Sequence, residues 1–159
     1  MNETTQTPYA SPSADLVENN SVDKIKQFKR FSAWGVFGLM IITFGIYPIY
    51  WLCNRAETVN SVHEKKISKA WTTALVVSII IYYVASFSIG LVGETGLIVM
   101  SVVTLISLIV YMVAYLVVAF AIRNRLQDIT NNKLNGVLTF FFNAVYLQYK
   151  INEAIDQSK

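Results

Sequence analysis

The sequence predicts an all-α integral membrane protein, and three observations carry that prediction. Apolar residues make up 54% of the 159 residues and charged residues only 14%, a balance that is unusual for a water-soluble domain. Four apolar stretches occupy residues 31–52, 70–92, 97–122 and 134–149. All 13 Lys and Arg residues lie beside or between these stretches, and none lies in the short turn 93–96.

The second and third stretches are predicted to form a central antiparallel transmembrane hairpin. Neither contains a charged residue, and a helix that rises about 1.5 Å per residue would cross about 30 Å of hydrocarbon with either of them. Folding the hairpin about its turn places Ser78 level with Tyr111, and Tyr82 level with Ser107. Because small and hydroxylated residues let membrane helices approach closely, we expect these hydroxyls to pair across the seam. The stripe predicted on the second helix consists of Ser101, Thr104, Leu108, Tyr111 and Tyr115, with Ser107 at its edge.

The first stretch is long enough to cross a membrane, but it has four basic residues on each side. A proline breaks or kinks a helix, although it suits the first turn of a new one. Pro48 follows Gly45 closely, and Thr43 is placed to cap the new start. We therefore expect a broken or re-entrant segment that enters and leaves on the cytosolic side. The aromatic residues after the break are expected near the inner interface: Tyr47, Tyr50 and Trp51.

Each of the two shorter segments is predicted to lead into an amphipathic helix on the cytosolic face. After Pro48, apolar residues recur at helical spacing, and we expect that face to lie in the head-group boundary. The face consists of Ile49, Leu52, Ala56, Val59, His63 and Ile67. The fourth stretch, 134–149, is short for a span, and Tyr146 and Tyr149 repeat the spacing of Tyr47 and Tyr50. A second broken or re-entrant segment, near Asn143, is therefore predicted.

The distribution of basic residues predicts the topology. Cytosolic loops carry an excess of Lys and Arg, so both termini are expected in the cytosol and only residues 93–96 outside. The polar N-terminal residues 1–23 are expected to form a disordered cytosolic tail. Residues 24–159 are expected to form a single helical membrane domain.

The run T-F-G-I-Y-P-I-Y-W, from Thr43 to Trp51, resembles a T-x-G-I-Y-x-x-Y-W pattern. That pattern occurs in a bacterial family of small integral-membrane proteins known as domain of unknown function 4234. The segment VYLQYKINEA, from Val145 to Ala154, resembles the closing pattern of the same family. The resemblance covers about residues 30–155 and implies a multi-pass protein of the bacterial cytoplasmic (inner) membrane. It implies no known activity and supplies no catalytic residue.

Residues suited to catalysis are few, and no enzyme, cofactor or metal site is predicted. His63 is the only histidine, and a half-buried neutral histidine is expected there. Cys53 has no second cysteine to pair with and is expected to fill space at the interface. The hairpin stretches contain none of the ionisable residues that ion and proton pathways usually need. Four arginines are candidates for lipid head-group contacts, with ordinary charges at the ends of spans as the alternative: Arg30, Arg55, Arg123 and Arg125.

The function predicted first is that of a membrane interaction or scaffolding protein. A small channel or transporter subunit, built around the broken segments near Gly45 and Asn143, is the alternative. A wet polar cavity beside those residues would favour transport, and a dry packed bundle would favour interaction. The expected partners are anionic lipids on the cytosolic face and a membrane protein or a second copy of the chain. No nucleic acid is expected, because the basic residues flank apolar spans.

Overall fold

The computed structural model of the protein describes residues 13–158, and within that range it is entirely helical apart from turns and loops. The all-α prediction is confirmed, with 83% of the described residues in helices. The helices are α1 (Ser13–Lys26), α2 (Ala33–Ile42), α3 (Ile46–Val62), α4 (Lys69–Ser88), α5 (Glu94–Thr130) and α6 (Gly136–Gln157), with a 3-10 turn at Ile89–Leu91.

Helices α4 and α5 form the predicted hairpin and pack along each other. Both are long and apolar enough to cross a membrane. Only 17% of the most apolar window of α4 and 28% of that of α5 is buried within the protein. The apolar side chains of the hairpin therefore face outward, as suits hydrocarbon rather than water. We call the end of the hairpin that carries Lys69 and Arg123 the basic end.

The seam between α4 and α5 differs in detail from the prediction. Ser78 and Ser107 are both buried there, but Ser107 lies within the seam rather than at its edge, and Ser101 is exposed. Ser78 donates its hydroxyl hydrogen to the carbonyl of Leu75, in its own helix, at 3.2 Å. Within residues 13–158 no hydrogen bond joins either serine to a tyrosine hydroxyl, so the expected pairing of hydroxyls was wrong. Back-bonding within a helix gives a serine hydroxyl an acceptor without a partner across the seam.

Helix α5 extends beyond the hairpin at the basic end. Its 37 residues measure about 55 Å, well over the thickness of a hydrocarbon core. The C-terminal part of α5 is buried on one side and carries much of the core, including Ile122, Leu126 and Ile129. Helices α1, α3 and α6 pack against α5. The tertiary core of the protein therefore includes the basic end of α5.

The first apolar stretch is broken where the sequence predicted. Helix α2 ends at Ile42, and Phe44 and Gly45 adopt left-handed backbone conformations, with φ of 49° and 85°. Helix α3 then begins at Ile46 and places Pro48 in its first turn, where its missing N–H has no intrahelical partner to lose. Only glycine adopts a positive φ without steric cost, which explains Gly45 in the turn.

The chain doubles back at this break. The guanidinium of Arg55 in α3 donates to the backbone carbonyl of Lys29, which precedes α2, at 2.9 Å. A continuous helix would separate these two residues by about 39 Å. Helices α2 and α3 therefore form a short hairpin that starts and finishes at the basic end.

Helix α6 contains a second break, at Asn143, whose φ of 33° and ψ of −111° are not helical. The backbone N–H of Asn135, which caps α6, donates to the hydroxyl of Tyr146 at 2.8 Å. A straight helix would separate residues 135 and 146 by about 16 Å, far more than the length of a tyrosine side chain. The chain thus reverses at Asn143, and this second short hairpin also returns towards its own start.

The N-terminal region departs from the expected disordered tail. Residues 13–26 form α1, which packs against α5 and α6, so the helix crosses the predicted boundary at residue 23. Ile25 and Phe28 are buried in the core, and this apolar spacing gives the segment a face to bury. Residues 1–12 of the predicted tail lie outside the described residues.

Helix α3 turns its apolar face inward. Ile49, Leu52, Ala56 and Val59 are all buried in the protein core. The head-group boundary was the expected location of this face, and that expectation was wrong. The reason is that α5 and α6 extend far enough at the basic end to cover α3. Helix α3 also stops at Val62, because His63 takes an extended conformation.

Candidate functional site

Arg55 lies at the centre of the most polar part of the interior. It is only 5% exposed, although guanidinium groups are rarely buried without partners. Its Nη2 atom donates to the carbonyl of Lys29 at 2.9 Å and to Oε1 of Gln148 at 3.0 Å. Its Nη1 atom contacts Oδ1 of Asn54 at 3.4 Å. The side chain therefore links α3 to α6 and to the loop before α2.

Gln148 is the junction of this network. Its Oε1 atom also accepts the indole N–H of Trp51, at 2.9 Å. Its Nε2 atom donates to Oδ1 of Asn152 at 2.9 Å, and Asn152 in turn donates to the carbonyl of Phe31 at 2.7 Å. We define the clamp as the four side chains of this network, the last three of which bond to the loop 29–31: Trp51, Arg55, Gln148 and Asn152.

The positive charge of Arg55 is held without a carboxylate. Within residues 13–158 no acidic side chain lies within 4.0 Å of it. Its partners are carbonyl oxygens and the face of Trp51, whose ring centroid is 5.6 Å from the guanidinium carbon. Burial lowers the pKa of Arg55, while the nearby Tyr47 and Tyr50 act in the opposite direction. Its Nε atom is buried and has no hydrogen-bond partner.

The motif predicted from the first stretch builds the break beside the clamp. The hydroxyl of Thr43 donates to the carbonyl of Leu39 at 2.7 Å and accepts the N–H of Tyr47 at 2.9 Å. It thereby joins the end of α2 to the start of α3, although the N-cap residue of α3 is Gly45 and Thr43 is the C-cap of α2. Tyr50 is exposed, whereas Pro48 and Trp51 are buried. Trp51 therefore packs inside the protein, while Tyr50 faces outward.

The second tyrosine pair occupies an equivalent place. In each short hairpin, a residue with positive φ lies three positions before the first tyrosine, namely Phe44 before Tyr47 and Asn143 before Tyr146. Tyr149 is exposed, like Tyr50. The Y-x-x-Y repeat noticed in the sequence thus coincides with a repeated backbone break.

The other three arginines considered for lipid contacts differ in surroundings. Arg30 is exposed and pairs with Asp156 at 2.9 Å. Arg123 donates through Nε to the carbonyl of Leu134 at 3.0 Å, which fixes the loop before α6. Arg125 lies at the surface and lines a groove beside α4. Arg55 is not placed to reach a lipid head group, because it lies inside the clamp.

Sequence reasoning missed Gln148 and Asn152. One signal was available, since both are polar residues four positions apart on the helix that follows the second tyrosine motif. The sequence did not show that Arg55, a distant residue, would meet them. A break in each short segment was needed before α3 and α6 could face each other.

The neighbours of Cys53 and His63 suit structural roles for both residues. Burial raises the pKa of the Cys53 thiol, and the negative charge of Glu57 raises it further. His63 accepts the N–H of Lys65 on Nδ1, so its hydrogen lies on Nε2, 3.3 Å from Asp128. Within residues 13–158 no group of three His, Cys, Asp or Glu side chains is placed to hold a metal ion. Neither residue forms a pair of nucleophile and base.

Asn143 has a strained backbone conformation and a side-chain amide without hydrogen-bond partners. It is almost fully buried, and neither its amide oxygen nor its amide nitrogen has a hydrogen-bond partner. Gly45, by contrast, faces outward, since a Cβ placed on it would meet no atom within 4 Å. The two breaks therefore differ. Gly45 faces open space, whereas the break at Asn143 buries a side-chain amide.

A family model described as a domain of unknown function (DUF4234) matches residues 31–128 of the chain. The match begins before α2 and ends near the end of α5, so it includes the first short hairpin, Arg55 and the long hairpin. No curated protein and no solved structure matches the chain.

Proposed function

The chain belongs to the DUF4234 family, and we propose that it is a membrane interaction or scaffolding protein of the bacterial cytoplasmic (inner) membrane. One contrast carries the proposal. Three of the four clamp side chains, Trp51, Arg55 and Gln148, are buried in the protein, whereas large aromatic side chains of the short hairpins face outward. Trp34 is 81% exposed, Phe44 88% and Phe141 72%. Such side chains suit contact with another membrane protein or with lipid chains.

The proposed topology has both termini in the cytosol and only residues 93–96 outside. It is supported by contacts that join the basic segments to one another. Arg30 pairs with Asp156, Arg55 reaches Lys29, and Arg125 reaches the carbonyl of Lys65 at 3.3 Å. These contacts gather the segment before α2, the middle of α3, the loop after α3, the C-terminal part of α5 and the end of α6 at the basic end. Basic segments gathered at one end are what the charge rule for cytosolic loops requires.

The two short hairpins are proposed to be re-entrant. Helix α2 has 10 residues and measures about 15 Å, half the thickness of the hydrocarbon core. The doubling back at residues 43–45 and at Asn143 supports entry and exit on the same side. Non-helical backbone at membrane depth must be covered or bonded internally, and Thr43 does this for the first break.

We assign the chain no enzymatic activity and no cofactor. The clamp supplies hydrogen bonds and one buried positive charge, and these join helices without offering a nucleophile or a base. The exposed aromatic surface of the short hairpins is the part that we propose contacts a partner, which is a membrane protein or a second copy of the chain.

Site-specific photocrosslinking in native membranes tests this proposal. A photoreactive phenylalanine analogue at Phe141 or Trp34 should give an adduct of discrete mass, including one near twice 17.9 kDa if the chain pairs with itself. The same analogue at Phe87, an equally exposed residue on the long hairpin, is the matched control. Diffuse adducts at all three positions would argue against an interaction surface on the short hairpins.

A channel or transporter subunit is the second candidate, and Asn143 favours it. A buried amide with two unmet hydrogen-bonding atoms beside a broken helix is the kind of group that binds water or a solute. Purified protein in liposomes should then conduct ions or small polar solutes, and Asn143→Leu should abolish the flux. The absence of flux from correctly inserted protein would reject this candidate.

A further inference from the structure

We propose that the groove between the start of α4 and the C-terminal part of α5 binds one anionic phospholipid. The proposal rests on the membrane placement proposed above and names a specific lipid site within it. The groove lies at the basic end, and its walls include Lys66, Trp71, Val117, Phe120 and Arg125. Cationic side chains, amphipathic rings and apolar side chains thus meet in one place.

The charges of the groove are suited to a phosphate. Lys66 and Arg125 both line it, and no acidic side chain does. Within residues 13–158 neither residue has a carboxylate within 4.0 Å. Arg125 is oriented by bonds from Nε to the carbonyl of Lys65 and from Nη1 to that of Ala121, each at 3.3 Å. In the described part of the chain its Nη2 atom has no protein acceptor, so the guanidinium keeps a donor for a phosphate oxygen.

The apolar part of the groove is suited to a lipid rather than to a free phosphate. Trp71 is partly exposed and stands at the start of α4, where a membrane interface is expected. Val117 and Phe120 lie on α5 beside it, and exposed valines continue along both helices away from the basic end. A head-group phosphate at the cations would therefore place an acyl chain against apolar side chains.

The occupant that fits both parts is a phospholipid with net negative charge. A zwitterionic lipid would carry an ammonium group close to Lys66 and Arg125, which disfavours it. An acidic protein segment would match the two cations and leave the apolar wall unused. Each Lys or Arg near an anionic surface increases binding roughly fivefold, so two cations should give a clear preference.

Quenching of Trp71 fluorescence by brominated lipids tests the proposal. The full chain carrying Trp34→Phe is placed in nanodiscs, and the buried Trp51 is retained. Dibrominated phosphatidylglycerol and dibrominated phosphatidylcholine are then compared at equal mole fractions. We expect phosphatidylglycerol to quench Trp71 at an at least fivefold lower mole fraction.

Variants assign the preference to the groove. Lys66→Gln and Arg125→Gln should each reduce the preference several-fold, and Lys66→Arg should retain it. Lys65→Gln is the matched control, because it removes the same charge from the adjacent exposed residue outside the groove. Unchanged circular dichroism of each variant shows that it has folded.

The outcomes separate this proposal from the one on which it rests. Strong and equal quenching by both lipids would leave the membrane placement intact and overturn the lipid site. Quenching by neither lipid would overturn both. Loss of the preference in Lys65→Gln to the same degree as in Lys66→Gln would show a general surface charge effect and would also overturn the site.

Discussion

Arg55 keeps its charge in the interior only because three acceptors surround it. Gln148 is the one that also holds Trp51, and its side chain is fully buried. Replacing Gln148 with Leu should leave a buried guanidinium and an indole N–H without that acceptor. Hydrogen bonds to charged groups are worth about 1.5–3 kcal/mol each, so we expect a loss of roughly 2–3 kcal/mol in unfolding free energy.

Denaturant unfolding in detergent micelles measures this loss. Gln157→Leu, a change of the same type at an exposed position of the same helix, is the control and should have little effect. Equal stability of the two variants would show that the clamp does not stabilise the fold.

Cys53 offers a second prediction for a single residue. Burial and Glu57 raise the pKa of its thiol, so the reactive thiolate is scarcer at pH 8 than in a free cysteine. The rate of alkylation should therefore be low at pH 8 and rise about tenfold per pH unit until the raised pKa is approached. Glu57→Gln should lower the pKa and speed the reaction, and Glu64→Gln should not. A rate independent of Glu57 would contradict the assignment.

Among the elements, the break between α2 and α3 is the clearest consequence of local sequence. Replacing Gly45 with Ala and Pro48 with Leu should favour one continuous helix, because Gly45 has a φ of 85° and Pro48 disrupts helix interiors. A continuous helix would have to cross the membrane or tilt into the interface. We expect labelling of a cysteine at Ser21 from outside, or poor insertion, in this double variant in a Cys53→Ser background.

Gly38→Ala is the control for that experiment. Gly38 lies within α2 and has open space around it, so alanine there should support the helix without moving the break. Unaltered topology in the double variant would mean that the clamp, rather than the glycine and proline, determines the reversal.

The seam of the long hairpin gives a prediction for packing. Ser78→Leu would insert a large side chain at a buried position between α4 and α5, and overpacking costs about 1–3 kcal/mol. Ile80→Leu, on an exposed face of the same helix, should change stability very little. Thermal unfolding of the two variants in one detergent compares them directly, and equal midpoints would place Ser78 outside the seam.

The elements were more predictable than their contacts. The hairpin followed from two uncharged apolar stretches, and the first break followed from Thr43, Gly45 and Pro48. The burial of the apolar face of α3 in the protein core could not be predicted from the sequence, because the same amphipathic pattern suits a membrane surface and a protein core. The clamp did not follow either, since a hydrogen bond between Arg55 and Gln148 depends on tertiary approach and leaves no local pattern.

For the molecule as a whole, labelling of single cysteines tests the topology. In a Cys53→Ser background, an impermeant thiol reagent applied to intact cells should modify a cysteine placed at Glu94. Cysteines at Ser21, Ser61 and Ser158 should be spared, because the basic segments keep those positions in the cytosol. Labelling at Ser158 would place the C-terminal helix outside and contradict the gathering of basic segments at one end.

The dependence of Arg55 on Gln148 also has a consequence for synthesis. During translation Arg55 is synthesised well before Gln148. Contacts between residues so distant in sequence form late in folding. Until α6 emerges, the first half of the chain holds a cation whose partners in α6 do not yet exist. A nascent chain halted before residue 134 should thus be a target for quality-control proteolysis, and supplying the missing C-terminal segment as a separate polypeptide should protect it.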